Sequence, residues 1–174
     1  MKKVVLLGVL ISIFTSISCD AGRLWKTINP SKLYSPTCQK DEKLTDNTYT
    51  AFRLNVNRLK HQASNAPEVN LRNSKTIINV PYPDGTLHAF RIVLSGSMSK
   101  ELAAKYPNIR SYAGESVENT AVTARFDFNE TGFHALIREV SDQIVIDPFC
   151  KASTKNYVCY FKSAYKSVRS QELR

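Results

Sequence analysis

The sequence is poor in glycine and proline, with six and seven of them among 174 residues. That scarcity excludes a collagen-like or low-complexity chain, and 43% hydrophobic with 22% charged residues excludes an intrinsically disordered one. No hydrophobic run reaches the roughly 20 residues that a permanent transmembrane helix needs. The composition is therefore that of one ordinary globular domain.

Acidic residues are in the minority, with 15 Asp and Glu against 24 Lys and Arg and a net charge of +9. Residues 22–60 hold eight bases and three acids and residues 151–174 hold six and one, whereas residues 61–150 hold eight bases and ten acids. A centre with more acids than bases lacks the broad positive face that phosphate binding needs. We therefore expect the net positive charge to lie in the two flanking segments and not to form a binding face. We also expect no nucleic-acid partner.

The first 21 residues are typical of a secretory signal, because Lys2 and Lys3 precede an apolar-rich run that gives way to small polar residues. Cleavage is expected before Cys19 or after Ala21. In a third reading, Cys19 becomes the lipidated first residue of an outer-membrane lipoprotein. The chain is thus expected to be exported, extracellular or at the cell surface, and to meet a membrane only through a lipid on Cys19.

Cysteine is also scarce, with four in the chain. In an exported protein two cysteines form a disulfide by default. Cys150 and Cys159 lie nine positions apart in the sequence, and we expect a bridge between them across a loop or hairpin. Cys38 is then unpaired, or paired with a retained Cys19. No Cys-x-x-Cys pair is present to hold a structural zinc ion.

Three segments are expected after the signal. Residues 22–48 show no sustained periodic pattern of apolar residues and should form an extended lead-in that packs against the domain. Residues 49–162 should form the domain, and residues 163–174 a basic tail or linker. The side chains expected to fasten the lead-in are those of Leu24, Trp25 and Leu33.

Alternating apolar and polar residues predict that most of the domain is β-strand. Turn residues at 83–85 and 129–132 predict two hairpins. Apolar spacings of three and four predict a short helix through residues 56–63, and Ser99 is the expected N-cap of a second. The expected fold class is α+β, mainly antiparallel β, as a sandwich-like or half-open barrel of about seven strands with two or three short helices.

Motifs that would carry catalysis are missing. The three histidines, His61, His88 and His134, share no metal-ligand spacing, and no His-Glu-x-x-His helix is present. The Ser-x-x-Lys match that begins at Ser97 lacks the two further motifs of penicillin-recognising enzymes. His88 and His134 are expected to pack across strands. The chain is therefore not expected to be an enzyme.

Short motifs in a fixed order carry a resemblance to a known family. They include Tyr-Thr-Ala-Phe-Arg-Leu at 49–54, Pro-Tyr-Pro-Asp-Gly at 81–85, Leu-Ala-Ala-Lys-Tyr-Pro-Asn-Ile-Arg-Ser-Tyr at 102–112 and Thr-Ala-Arg-Phe-Asp at 123–127. Over residues 24–161 the chain resembles the amino-terminal pro-region of secreted bacterial reprolysin-like zinc metalloproteases. The resemblance implies a domain that folds first, helps the protease domain to fold and keeps it inactive until cleavage.

The same resemblance implies a metalloprotease catalytic domain as the partner, normally in the same polypeptide, with zinc in that domain and no cofactor in this chain. Because no catalytic domain follows, the chain is expected to be a fragment or truncated form, or a domain kept without its protease. Cys38 is the candidate for a thiolate that binds the zinc ion of the protease domain and so keeps the protease inactive. The alternatives are a stand-alone surface or lipid-anchored adhesion or ligand-binding β domain, and a small secreted hydrolase using Asp127 and Asp142.

Overall fold

The computed structural model describes residues 24–33, 38, 44, 48–68, 70–96, 99–150 and 153–164. These residues form nine strands: β1 (Trp25–Ile28), β2 (Tyr49–Leu54), β3 (Ile77–Pro81), β4 (Leu87–Leu94), β5 (Arg110–Ser116), β6 (Thr123–Asn129), β7 (Gly132–Arg138), β8 (Gln143–Cys150) and β9 (Ser153–Phe161). Two α-helices connect them, α1 (Val56–Ala63) and α2 (Lys100–Lys105).

All nine strands belong to one antiparallel sheet in the order β1-β2-β9-β8-β7-β6-β5-β4-β3, which curls into a nearly closed barrel. The predicted class, mainly antiparallel β with few helices, is confirmed, but the strand count differs from about seven. The additional strands are β1 and β2. β1 has only four residues, and β2 buries Ala51 and Phe52 in succession on opposite faces, so neither shows the alternation by which a half-buried strand is recognised.

Both predicted hairpins are confirmed. In the β3–β4 turn, Asp84 Oδ1 accepts the amide of Thr86 at 2.9 Å, and Gly85 has φ +89°. In the β6–β7 turn, Asn129 Oδ1 accepts the amide of Gly132 at 3.2 Å, and Gly132 has φ +127°. A side chain at either glycine would be strained at such a φ, which is why these turns could be located in the sequence.

Aromatic side chains fill the interior of the curled sheet. The Trp25 indole packs edge-on against the rings of Phe52, Phe133 and Tyr157, with centroids 6.2, 5.9 and 5.8 Å away. Phe90, Phe126 and Phe128 continue this packing and are almost fully buried, as are the aliphatic residues between them. The barrel interior is therefore a packed core.

The open edge of β3 meets the other end of the sheet along a line that we call the seam. Thr76 O accepts the Ile92 amide of β4, and the Tyr82 amide donates to Thr86 O just before β4, so the carbonyls of Asn79 and Pro81 point away from β4. Trp25 Nε1 of β1 donates to Asn79 O at 2.8 Å, and Cys159 Sγ of β9 donates to Pro81 O at 3.3 Å. Thr50 Oγ1 of β2 donates to Pro83 O, in the turn after β3, at 2.5 Å. Pro81 and Pro83 have no amide hydrogen, so at these two positions the edge offers no donor to another strand.

A second, smaller core covers the outer face of β2, β8 and β9. It is made of Leu33, Cys38, Leu44, Tyr49, Ala51, Phe149, Val158 and Tyr160. A disulfide joins Cys38 to Cys150 with the Cα atoms 5.5 Å apart. The expected lead-in thus contributes a strand to the sheet and a bridged layer outside it.

The expected bridge between Cys150 and Cys159 is wrong. Cys150 faces Ser153 across the β8–β9 turn, whereas Cys159 faces Ile146. Six residues of strand between Ser153 and Cys159 span about 20 Å, far beyond the roughly 7 Å that Cα atoms of a disulfide can reach. Cys159 is instead a free buried thiol that donates a hydrogen bond to the Pro81 carbonyl at the seam. The bridge also leaves Cys38 without the thiol that silencing a zinc ion requires.

Removing the bridge should destabilise the fold strongly. The cysteines of the bridge are 112 positions apart, and closing a loop of that size is worth about 4 to 5 kcal/mol. We expect Cys38→Ala combined with Cys150→Ala to lower the free energy of unfolding by about 2 to 5 kcal/mol in urea titrations. Cys159→Ser, which keeps a donor for the seam, should cost less. A non-reducing peptide map that shows Cys150 joined to Cys159 would overturn the assignment.

Stability should fall in alkali. Burial raises the pKa of the Cys159 thiol above its usual 9.0, and burial followed by a hydrogen bond to Glu139 raises the pKa of the Tyr82 phenol above its usual 10.0. Above about pH 9 the unfolded chain releases protons that the folded chain retains, so the free energy of unfolding decreases with pH. In urea titrations at several pH values, Tyr82→Phe should reduce this decrease and Tyr106→Phe, at an exposed tyrosine, should not. Equal slopes in both variants would contradict the role of Tyr82.

Candidate binding groove

Helix α1 follows β2 directly, as the apolar spacing predicted. Asn55 is its N-cap, and Asn55 Oδ1 accepts the amide of Arg58 at 3.1 Å. Leu59 and Ala63 are buried against the core, so the opposite face of the helix is exposed. Lys60 flanks the buried face, and its Nζ lies 5.9 Å from the centroid of the Phe128 ring.

Three neighbouring cavities, two of them lined by α1, lie at the end of the barrel that α1 covers, and we call them together the α1 groove. The first, of about 680 Å³, lies between the starts of β1, β9 and α1 and the β6–β7 turn. The second, of about 400 Å³, shares Lys60 and Asn108 with the first. The third, of about 350 Å³, shares Glu68, Leu94 and Arg110 with the second and reaches α2. Each cavity therefore lies next to the following one.

Positive charge dominates the groove. Its charged lining residues are the cations Lys26, Arg53, Lys60, Arg110 and Lys155 and the carboxylates Glu68 and Glu130. Sheet pairing explains the concentration, because Lys26 on β1 faces Arg53 on β2, and Arg53 faces Asn156, the neighbour of Lys155 on β9. The two basic flanks of the sequence therefore meet at one site. The fold thus places cations from both flanks in the lining of one cavity.

Asparagine amides add neutral donors to the groove. Asn55, Asn57, Asn108 and Asn129 all line the first cavity. The oxygens of Asn55 and Asn129 already accept backbone amides, which leaves their amide nitrogens as the groups to offer a ligand. Cations and amide donors together suit carboxylates and peptide carbonyls.

The histidines predicted to pack across strands lie outside this groove, in two hairpins of similar design. His88 stacks on Tyr82 with ring centroids 3.8 Å apart. Its Nδ1 lies 3.1 Å from Glu118 Oε2 and its Nε2 lies 3.0 Å from Thr86 Oγ1. The same hydroxyl donates to Asp84 Oδ1 at 2.6 Å.

His134 repeats the pattern, with Nδ1 2.7 Å from Asp147 Oδ1 and Nε2 2.9 Å from Thr131 Oγ1. A hydroxyl, an imidazole and a carboxylate in this order resemble a hydrolytic triad. However, the Thr131 hydroxyl donates to Asn129 Oδ1 at 2.7 Å, so its hydrogen is directed to the turn and not to the imidazole. The amides of Thr131 and Gly132 also bond Asn129, which withdraws them as oxyanion donors. The cluster fastens a turn.

The carboxylates considered for a hydrolase do not form a pair. Asp127 accepts a hydrogen bond from Ser111 and forms an ion pair with Arg125 at 3.0 Å. The pKa of Asp142 is lowered, chiefly by a hydrogen bond from Ser163. Sheet register places Asp127 opposite His134 and Asp142 beyond Arg138. Four residues of strand separate those positions by about 13 Å, whereas glycosidase carboxylates lie about 5 to 9.5 Å apart.

Other predicted residues are dispersed. His61 is exposed on α1, and Cys19 and Ser97 lie outside the described residues. Within the described part of the chain, no three His, Cys, Asp or Glu residues are grouped so that they could hold a metal ion. The helices described in the structure include none with the length and apolarity to cross a bilayer.

Comparisons of the chain with protein-family models, with curated proteins and with solved structures gave no match. The geometry of the molecule and the motif series are therefore what bears on its function. Sequence reasoning missed the cations of the groove, although the segment-by-segment charge count had already located most of them. The sequence did not reveal that β1, β2 and β9 are neighbours in the sheet, which is what brings these cations together.

The N-cap should hold the start of α1 against the groove. Asn55→Ala removes the acceptor for the Arg58 amide and should lower the free energy of unfolding by about 1 kcal/mol. Asn57→Ala, two residues along on the exposed face of the same helix, should change it by less than about 0.5 kcal/mol. Urea titrations measure both. Equal effects of the two substitutions would contradict the capping role of Asn55.

Proposed function

We propose that this chain is an exported, non-catalytic, prodomain-like module that binds a reprolysin-like zinc metalloprotease domain, assists its folding and inhibits it. The observation that supports this proposal is the α1 groove, an open surface lined by cations and amide donors. The barrel interior is filled by its own side chains. Binding through the outside of the barrel end is therefore favoured over binding inside it.

Segments that carry the family resemblance contribute to the groove. Arg53 comes from the motif at 49–54, and Asn108 and Arg110 come from the motif at 102–112. These motifs are distant in sequence and adjacent in space, which is what a shared docking surface requires. Because Cys38 is bonded to Cys150, inhibition is proposed to come from docking and not from a thiolate on zinc.

Two other functions remain as alternatives with less support. A stand-alone surface or lipid-anchored adhesion domain would use the same groove without a protease, and protease binding distinguishes it from a prodomain. A small hydrolase is disfavoured because Asp127 is ion-paired with Arg125 and lies far from Asp142.

Mixing the purified chain with the matching protease domain tests the proposal. We expect peptide hydrolysis to fall with added chain and the yield of refolded protease to rise. Arg53→Glu combined with Lys60→Glu should weaken inhibition by about tenfold, because two attractive contacts become repulsive.

Arg58→Glu is the matched control, since Arg58 is exposed on α1 but does not line the groove. It should inhibit like the unchanged chain. Unaltered protease activity and refolding yield on adding the chain would refute the prodomain function.

A further inference from the structure

We infer that the α1 groove takes an extended, carboxylate-rich segment of a partner polypeptide. This inference rests on the proposed function as far as it assigns that segment to the protease domain. The charge of the lining, the shape of the groove and the burial of the aromatic rings among its described residues support it separately.

Charge complementarity selects a ligand with several carboxylates. Among the residues that the structure describes, five cations and two carboxylates line the groove, and cations line each of its three cavities. Lys26, Arg53 and Lys155 lie at the first cavity, Lys60 lies where the first and second cavities meet, and Arg110 lies where the second and third meet. A single small anion would contact only one of these positions, whereas a chain bearing spaced carboxylates reaches Arg53, Lys60 and Arg110 together.

The shape of the groove fits an extended backbone. Its walls follow α1 from Val56 past Ser64 to Glu68. An eight-residue helix is about 12 Å long, a distance that about four extended residues span. Asn57 and Asn108, both exposed, offer amides to the carbonyls of such a segment.

Nucleic acid is the competing anionic polymer, and the aromatic residues argue against it. Binding of a single strand relies on bases stacked on exposed rings beside a positive groove. The aromatic residues that line the α1 groove, Tyr112 and Phe128, are only 5% and 2% exposed. Carboxylates need no stacking surface, so an acidic polypeptide fits the lining better.

Fluorescence anisotropy with short labelled probes tests this inference on the full chain. The probes are an eight-residue peptide alternating Glu and Ala, the same peptide with Lys for Glu, and an oligothymidylate of equal charge. We expect the acidic peptide to bind, to be released as salt rises because the contacts are partly exposed, and to bind at least about tenfold more tightly than the other two probes.

Arg53→Glu combined with Arg110→Glu should weaken binding of the acidic peptide by about tenfold, and Arg58→Glu by less than about twofold. Circular dichroism and urea titration of each variant verify that the fold is retained. Absence of binding, equal binding of the oligothymidylate, or equal loss in Arg58→Glu would overturn the inference. Protease inhibition that the acidic peptide does not compete against would refute the inference alone. Peptide binding without protease inhibition would refute the proposed function alone.

Discussion

The hydrogen bond from the Trp25 indole to the Asn79 carbonyl joins the two edges of a sheet that would otherwise remain open. Cys159 and Thr50 extend this contact to the carbonyls of the next two odd positions on the β3 side. Because these donors are side chains, the edges meet without a ladder of backbone hydrogen bonds. The same Trp25 ring packs against three aromatic residues of the core, so closure of the seam and burial of the interior depend on one another.

The α1 groove depends on the same closure. β1 lies at one edge of the sheet, and its position beside β2 places Lys26 opposite Arg53. The pairing of β2 with β9 adds Lys155 to this group, while α1 brings Lys60 to the other wall. Cations from the two basic flanks of the sequence thus lie close together at one end of the barrel. A partner with negative charge would be drawn to this end at moderate salt.

Local structure could be predicted from the sequence because its causes are local. Asp84 and Gly85 determine the β3–β4 turn, and Asn129 determines the β6–β7 turn. The spacing of Leu59 and Ala63 indicates the buried face of α1. The pairing of Cys38 with Cys150 was not predictable, since the nearness of Cys150 and Cys159 in sequence says nothing about strand register. Strand β2 was missed because it is covered on both faces, and no alternation remains when Ala51 and Phe52 are both buried.

The groove was missed for a related reason. Its charged residues come from separate segments, and only the pairing of β1, β2 and β9 brings most of them together. A count of charge by segment located the cations but not their neighbours. Prediction of such a site therefore requires the strand order, which depends on contacts between residues far apart in the chain.

Hydrogen exchange at the indole of Trp25 tests the seam most directly. Trp25 is the only tryptophan of the chain, so its side-chain N–H gives a single resonance in a ¹H–¹⁵N spectrum. If Trp25 bonds Asn79 in a closed barrel, this proton should exchange as slowly as buried core amides such as that of Phe133, which donates to Tyr157 Oη. Exchange as fast as that of a solvent-exposed indole, with the Phe133 amide still protected, would contradict closure of the sheet by this bond.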